Sequence, residues 1–412
     1  MAGVSDKARF YLERAAPQLR EFEEKEIFKP DEIKSLVTKR SDFEHTVLAP
    51  RAKPTDFLAY VDWERSLDRL RAKRCRRLKI RTSTSHASEA RTFGIFERAV
   101  LKHPGCVPLW VAYLEFAAQA RATKKWRRVI TRALRLHPTN AGLWIMAGQK
   151  AAKNGDMERA RAHFLRGCRF CTGEATLWLE YARCEMDWLR RIEAKKGGEG
   201  VRRGGNVMEA IKATETADGE DDAIEFDESD DSEGGGEDEL VLPDPDLVAG
   251  GKKKKDLFDE EITRKMEQSP ALTGAIPMAI FDIATKQPFF SAEAAASFFD
   301  LFASFSKVST HGRIAQHVLD AMEERYPSSP ETCSCHIRQP LIGVGVQTAE
   351  FPKALRECLA RLRTDFEKTS DKKALAQKMV VWIESILEVE GLDAAIKTVL
   401  EHTKQSMEAL SK

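Results

Sequence analysis

Apolar positions in the first half of the chain recur with two periods at once. Between residues 124 and 136 they are Trp126, Val129, Ile130, Ala133 and Leu134, offsets 0, 3, 4, 7 and 8, a single stripe on a helix of 3.6 residues per turn. Thirty-four residues earlier the stripe reads Thr92, Ile95, Phe96, Ala99 and Val100; thirty-four later it reads Ala160, His163, Phe164, Gly167 and Cys168. A companion helix carries large residues: Trp110, Tyr113 and Phe116, copied as Phe57, Tyr60, Trp63 and as Trp178, Tyr181, Cys184. Trp110, Trp144 and Trp178 stand 34 residues apart, as do Pro104 and Pro138, and Arg98, Arg132 and Arg166. A fixed period of this length predicts stacked helical hairpins, each unable to bury its apolar face alone. Large residues on one helix facing small ones such as Ala99 and Ala133 on the other allow close interdigitation.

Punctuation supports the same units. His103-Pro104 and His137-Pro138 end second helices, because proline cannot continue the hydrogen-bond ladder. Asn154-Gly155-Asp156 turns between two helices. Upstream, Ser5–Phe28 reads as one helix or two, interrupted at Pro17. Pro30-Asp31-Glu32 opens another, with the stripe Ile33, Leu36, Val37, Arg40, Phe43 and Val47. Pro50 and Pro54 break the chain. Thr55-Asp56 is then expected to cap a helix with the face Phe57, Tyr60, Trp63, Leu67 and Leu70.

After Trp188 the pattern fades. Asp218–Glu239 holds thirteen acids in 22 residues and no lysine or arginine, too little apolar surface to fold alone, and Lys252–Lys255 closes the stretch. Helical patterning returns near Leu257: Ala279, Ile280, Phe281 and Ala284, then Ala292–Ser306, Gly312–Tyr326, Ala354–Glu367, Lys373–Glu388 and Leu392–Lys404. Thr332–Glu350 reads as irregular, and Ile342–Val346 is too short to build a sheet. The expected architecture is an all-α, right-handed superhelical solenoid of helical hairpins. Its expected domains are an N-terminal helical domain (1–54), repeats (55–194), a disordered acidic linker (195–256) and C-terminal helical repeats (257–412).

Charge changes this picture locally. Sixty-six Lys+Arg against 65 Asp+Glu leave +1, so net charge identifies no partner. No run of 18 apolar residues occurs, Met1–Asp6 lacks the apolar core of a signal peptide, and eight scattered cysteines fit a reducing compartment. The segregated stretch is Arg69–Arg81: Arg69, Arg71, Lys73, Arg74, Arg76, Arg77, Lys79 and Arg81, with no acid among them. On one unbroken helix these cations would attract RNA phosphates or an acidic protein; the plain alternatives are a solvated face or a nuclear localisation signal. The acidic insert could fold back on them as a mimic of RNA, and Ser229 and Ser232 lie among acids as acidophilic kinase sites would.

No catalytic, cofactor or metal residues are expected. Cys168-Arg-Phe-Cys171 lacks a nearby second ligand pair, Cys333-Ser-Cys335-His336 is distant, and Cys168 falls on the apolar stripe. His103, His137 and His163 sit at helix ends or on stripes without a nucleophile. Gly343-Val-Gly345 lacks the third glycine of a phosphate loop. The tryptophans read as packing residues, and the Arg98, Arg132, Arg166 ladder as partners for neighbouring carboxylates.

Trp110-Val-Ala-Tyr113-Leu-Glu-Phe116 and Arg91-Thr-Phe93-Gly-Ile-Phe96-Glu-Arg98-Ala99 resemble the half-a-TPR (HAT) repeat, lacking the Leu-Gly that tetratricopeptide repeats carry after the tryptophan. The earlier segments resemble the N-terminal domain of the U3 small nucleolar RNA-associated protein 6 family. They are Glu26-Ile-Phe28, Ile33-Lys-Ser-Leu-Val-Thr-Lys-Arg-Ser-Asp-Phe-Glu44, and Phe57-Leu-Ala-Tyr-Val-Asp-Trp-Glu64 with its basic tail. The resemblance covers about residues 1–190. It implies a nucleolar scaffold subunit of the small-subunit processome, with β-propeller sister subunits, pre-rRNA or U3 small nucleolar RNA as direct or indirect partners, and a part in 18S rRNA maturation. A HAT scaffold of splicing or mRNA 3′-end processing is the first alternative. A prenyltransferase α-type subunit is the second, against which Trp-x-x-Tyr stands where Trp-x-x-Arg is expected.

Overall fold

The computed structural model describes residues 2–80, 85–198, 273–389 and 391–411. The acidic stretch with Ser229 and Ser232, the closing lysines, Leu257 and Arg81 lie outside the described residues. All regular structure among the described residues is helical: seventeen α-helices and one 3-10 turn. They form two compact units, Met1–Leu143 and Trp144–Lys412.

The first unit holds α1 (Ala2–Glu13), α2 (Ala16–Glu24), α3 (Pro30–Leu48), α4 (Pro54–Arg77), α5 (Ser85–Lys102), α6 (Val107–Gln119), α7 (Thr123–Leu136) and the first residues of α8 (Ala141–Lys153). Helices α4/α5 and α6/α7 are the expected hairpins. The start of α4 differs from expectation in its cap. Lys53 is the extended N-cap residue, Pro54 opens the helix, and the Asp56 carboxylate at the third position accepts from the Lys53 amide at 2.7 Å. Thr55 therefore lies inside the first turn. Lys29, Pro30 and Glu32 repeat this arrangement at α3, with a 2.9 Å bond.

One contact recurs along the stack. Phe43 stacks on Tyr60 at 5.0 Å and 4°, and Phe96 on Tyr113 at 5.1 Å and 1°. In each pair a phenylalanine of one helix lies flat against the tyrosine 17 residues on, so α3 behaves toward α4 as α5 behaves toward α6. The buried faces of α3 and α4 are rotated from the apolar stripes. Arg40, Glu44 and Val47 are buried on α3 while Val37 is exposed; Val61, Glu64, Leu67, Arg71 and Cys75 are buried on α4 while Leu70 is exposed. The rotation arises because these helices bury charged side chains in pairs, which an apolar count passes over. At the far end, Phe22, Ile27, Phe28, Leu67 and Cys75 form a small core closing α2 onto α4.

The second unit takes up the remainder of α8, then α9 (Met157–Phe170), α10 (Ala175–Gly198), α11 (Ala275–Ala284), α12 (Ala292–Ala303), α13 (His311–Arg325), α14 (Pro330–Arg338), α15 (Phe351–Lys368), α16 (Lys372–Leu387) and α17 (Ala394–Ser411). Phe164 stacks on Tyr181 at 5.1 Å and 8°, the third copy of the recurring pair. Close approach there needs glycine: a Cβ at Gly148 would meet the Phe164 ring at 2.4 Å, and one at Gly167 would meet Trp144 at 2.8 Å. Helix α11 packs on α10, and α12 on α13. Phe281 meets Phe298 edge-on at 5.5 Å and Phe298 meets Phe302 at 6.1 Å. The irregular reading of Thr332–Glu350 is corrected. Its start is α14, opened by Pro330 and followed by the 3-10 turn Gln339–Leu341, with Cys333, Cys335 and Ile337 buried. Two short polar residues, Thr332 and Ser334, are buried on the same helix and mask its stripe.

Candidate interaction surface

The sequence places the candidate cations on one continuous helix without neighbouring acids. The structure separates them into two groups and ends the helix earlier. Helix α4 stops at Arg77, Leu78 is its cap, and Lys79 takes a left-handed φ of 57°. The Ile80 amide donates to the Cys75 carbonyl at 3.0 Å and the Lys79 amide to the Arg76 carbonyl at 3.4 Å, the paired bonds of a Schellman cap.

Arg71 and Arg74 are structural. The Arg71 side chain is buried and its Nε donates to Asp68 Oδ1 at 2.8 Å. Arg74 donates to both oxygens of Glu32 at 2.7 and 2.8 Å, donates to the Ile27 carbonyl at 3.1 Å, and lies 4.6 Å from the Phe28 ring centre. The two Arg74 bonds and the Lys29 amide hold the Glu32 carboxyl down at about 2. So acids do meet this stretch, Asp68 from α4 itself and Glu32 brought from α3 by folding. Arg69, Lys73, Arg76, Arg77 and Lys79 are exposed and form no ion pair among the described residues. Positions 69, 73, 76 and 77 share one helix face, opposite the buried line of Glu64, Arg71 and Cys75.

A buried ionic lattice holds this face in place. Glu64 receives Arg40 Nε at 2.7 Å and Arg40 Nη2 at 3.1 Å, with Arg91 Nη1 at 3.6 Å. Arg91 also donates to Gln18, whose amide donates to Ser88 at 2.9 Å. Burial, reinforced by the Arg40 charge, pulls the Arg91 guanidinium below its ordinary range. A second motif recurs with the repeat. Glu44 accepts from the Tyr60 hydroxyl at 2.9 Å and from Arg98 at 2.7 and 3.0 Å; Glu97 accepts from the Tyr113 hydroxyl at 3.2 Å and from Arg132. Burial and the adjacent carboxylates push the Tyr60 and Tyr113 hydroxyls up, so both remain donors. The arginine ladder thus finds carboxylates at Arg98 and Arg132. Arg166 does not among the described residues; Arg161 makes the bidentate pair in that region, with Glu185 at 2.7 and 2.9 Å.

The remaining repeat residues are core. Phe57, Tyr60, Trp110, Tyr113, Phe116, Trp126, Trp144, Trp178 and Tyr181 are buried, and Trp63 is partly buried against the α2/α4 core. Trp110 Nε1 donates to the Pro104 carbonyl at 2.9 Å, which His137 Nε2 also meets at 2.8 Å, so the His-Pro helix stops double as register contacts. Cys168 and Cys171 are buried, and desolvation pushes Cys168 up to about 12, which keeps it a thiol. Among the described residues no group of three or more His, Cys, Asp or Glu side chains is placed to hold a metal ion.

Sequence reading missed one feature of this surface. Between Glu115 and Asp156 the chain contains no acid, and seven cations fall between 121 and 135. Arg121, Lys124, Lys125, Arg127, Arg128 and Arg135 are exposed. The signal was present as a charge count, but the same segment was read for its apolar stripe.

Residues 12–99 match the family model described as U3 small nucleolar RNA-associated protein 6. The U3 small nucleolar RNA-associated protein 6 of Schizosaccharomyces pombe is 32% identical over 196 residues, covering 47% of this chain and 40% of that protein. The Homo sapiens homolog of the same description is 30% identical over 193 residues, covering 45% of this chain and 32% of that protein. The chain thus spans less than half the length of these curated relatives. The matched residues 12–99 contain the Arg40–Glu64–Arg91 lattice and the exposed cations of α4.

Proposed function

We infer, from a chain whose residues 12–99 match the U3 small nucleolar RNA-associated protein 6 family model, that this protein is a non-enzymatic scaffold in small-subunit ribosome assembly. It works in the nucleolus, within the small-subunit processome, and supports U3-dependent processing of pre-rRNA to 18S rRNA. The observation that carries this reading is the coincidence of two things on one segment. The family match covers α2 to α5, and that same segment uses buried ion pairs to hold outward five cations that make no ion pair among the described residues. Helical-hairpin surfaces of this kind recognise partners by shape, and several weak contacts on one chain add through effective concentration. β-propeller sister subunits are the partners proposed for the repeat surface. Arg69, Lys73, Arg76, Arg77 and Lys79 are the proposed contacts to RNA or an acidic partner.

Purification of the tagged full chain from cells, with sequencing of bound RNA and identification of bound proteins, tests this. Recovery of U3 RNA, 18S precursors and β-propeller proteins is the expected result. Recovery of spliceosomal or mRNA 3′-end factors in their place would overturn the function and keep the fold.

A further inference from the structure

Among the described residues, four helices end in the same cap: a left-handed residue whose amide and the next amide bond back to the final turn. The left-handed positions are Glu26 (φ 51°), Lys79 (57°), Arg121 (55°) and Gly155 (89°). The bonds recur at each, for example Ala122 N–H to Ala117 O at 3.0 Å and Asp156 N–H to Ala151 O at 3.1 Å. Glycine is the residue this position favours, because an L side chain crowds the backbone there. Gly155 occupies it 34 residues after Arg121, at the equivalent corner of the next repeat. At the α6–α7 corner the chain carries arginine instead, in a conformation that costs stability.

The start of α7 repeats the anomaly. Its first turn carries Lys124 and Lys125 and no acid, and its N-cap Ala122 has no side-chain bond. Cations at this end of a helix oppose its dipole, where acids would stabilise. Arg127 and Arg128 follow on the exposed side, opposite Trp126, Val129, Ile130 and Ala133. Arg132 is held by Glu97, and Lys125 lies 4.2 Å from the Phe93 ring centre. Arg121, Lys124, Arg127 and Arg128 make no ion pair among the described residues. The corner also borders the basic stretch of α4. Gln119, two residues before Arg121, accepts a 2.7 Å bond from Arg65, four residues before Arg69.

We propose that the α6–α7 corner and the outer face of α7, through Arg121, Lys124, Arg127 and Arg128, bind the phosphodiester backbone of structured RNA. Arg121 and Lys124 sit where they oppose folding stability, and Arg127 and Arg128 extend the same charge along the exposed face, so the placement is explained by a ligand and not by the fold. The chemistry is that of backbone contact. No aromatic side chain of the corner or of α7 is exposed, Trp126 being only 7% accessible, so there is no platform for unstacked bases. Charge without stacking suits duplex RNA recognised through its phosphates, independent of sequence. The inference deepens the scaffold reading by naming a site and its ligand, and rests on it only in taking RNA as the source of the phosphates.

The test uses purified full-length protein and a fluorescent 20-base-pair RNA hairpin of arbitrary sequence, with anisotropy measured across a salt series. Neutralisation by Arg121→Gly, Lys124→Gln, Arg127→Gln and Arg128→Gln together is expected to weaken binding about tenfold or more. It should also lower the slope of log K against log salt by about 3, since each phosphate contact contributes about 0.7–0.9. Arg121→Gly alone is expected to raise the melting temperature while weakening binding, a pairing that a purely structural arginine would not produce. The control neutralises Lys353, Arg356 and Arg363, exposed on α15, and should leave the slope unchanged. Undiminished RNA binding by the fourfold variant overturns the proposal. So does an equal loss in the α15 control, or a face that binds poly-glutamate and not RNA. If the purified chain ignores RNA while the tagged chain still recovers U3 RNA from cells, this inference falls and the scaffold reading stands.

Discussion

Helices α3–α7 and helices α11–α13 solve the same packing problem in different ways. The first region joins each hairpin to the next through ion pairs and tyrosine bonds: Arg40–Glu64–Arg91, Glu44–Tyr60–Arg98 and Glu97–Tyr113–Arg132. The second joins through phenylalanine: Phe281, Phe298, Phe299 and Phe302 are all buried, and no charged side chain of α11–α13 is buried among the described residues. Buried charges are satisfied in one geometry only, and an unpaired one is costly, so the first region has a single register. Apolar contact is non-directional and tolerates drift when volume is kept. That difference explains why the 34-residue period is sharp in one region and blurred in the other.

The largest effect is expected at the centre of the lattice. Glu64→Gln keeps the shape and removes the charge, leaving Arg40 and Arg91 buried beside a neutral amide. A loss of about 3–5 kcal/mol in a urea titration is expected; a loss below 1 kcal/mol would break the comparison at its root. Next is Glu44→Gln, which leaves Arg98 and the Tyr60 hydroxyl with a weaker acceptor. About 1.5–3 kcal/mol is expected, and a double-mutant cycle with Arg98→Gln should show strong coupling. Glu97→Gln should cost less, since that carboxylate is 38% exposed and solvent repairs part of the loss.

Phe298→Leu sharpens the other side. A modest loss of volume in an apolar cluster is expected to cost about 1–2 kcal/mol, against about 3–5 kcal/mol for Phe298→Ala. The smallest effect concerns acid. Glu32 is held near 2 when folded against an ordinary 4.5, so the folded state binds its proton more weakly than the unfolded state. Its stabilising contribution is complete above pH 4.5 and is lost as pH falls from there through about 2. The urea midpoint of Glu32→Gln should therefore show a shallower acid decline than the parent over that window.

Much of the first region was legible because its periodic residues are also its core residues. Trp110, Tyr113, Val129, Ile130 and Ala133 were on the expected faces, and all are buried. The Asn154-Gly155-Asp156 turn has Gly155 left-handed and Asp156 accepting from the Arg159 amide at 3.0 Å. The reading failed where a helix buries charge. The expected faces of α3 and α4 include Arg40 but leave out Glu44, Glu64 and Arg71, which are buried as well. It also failed at α14, where small polar and cysteine positions hide the stripe. For the candidate surface, the cations were legible as a run, but their division was not. Arg74 is removed by Glu32, 42 residues away in sequence, and Arg71 by Asp68, just outside the run.

The sequence by itself determined the helical class, the repeat length, the His-Pro helix stops and most of the residues that pack between hairpins. These follow from local periodicity and from proline and glycine geometry, which act within a few turns of chain. Tertiary structure alone decided which cations face outward, which carboxylates meet Arg40, Arg98 and Arg132, and that α3 repeats the packing of a second hairpin helix. Most of those outcomes depend on partners distant in sequence, 24 residues for Arg40 and 54 for Arg98, and a charge becomes structural or available only when folding chooses its neighbour.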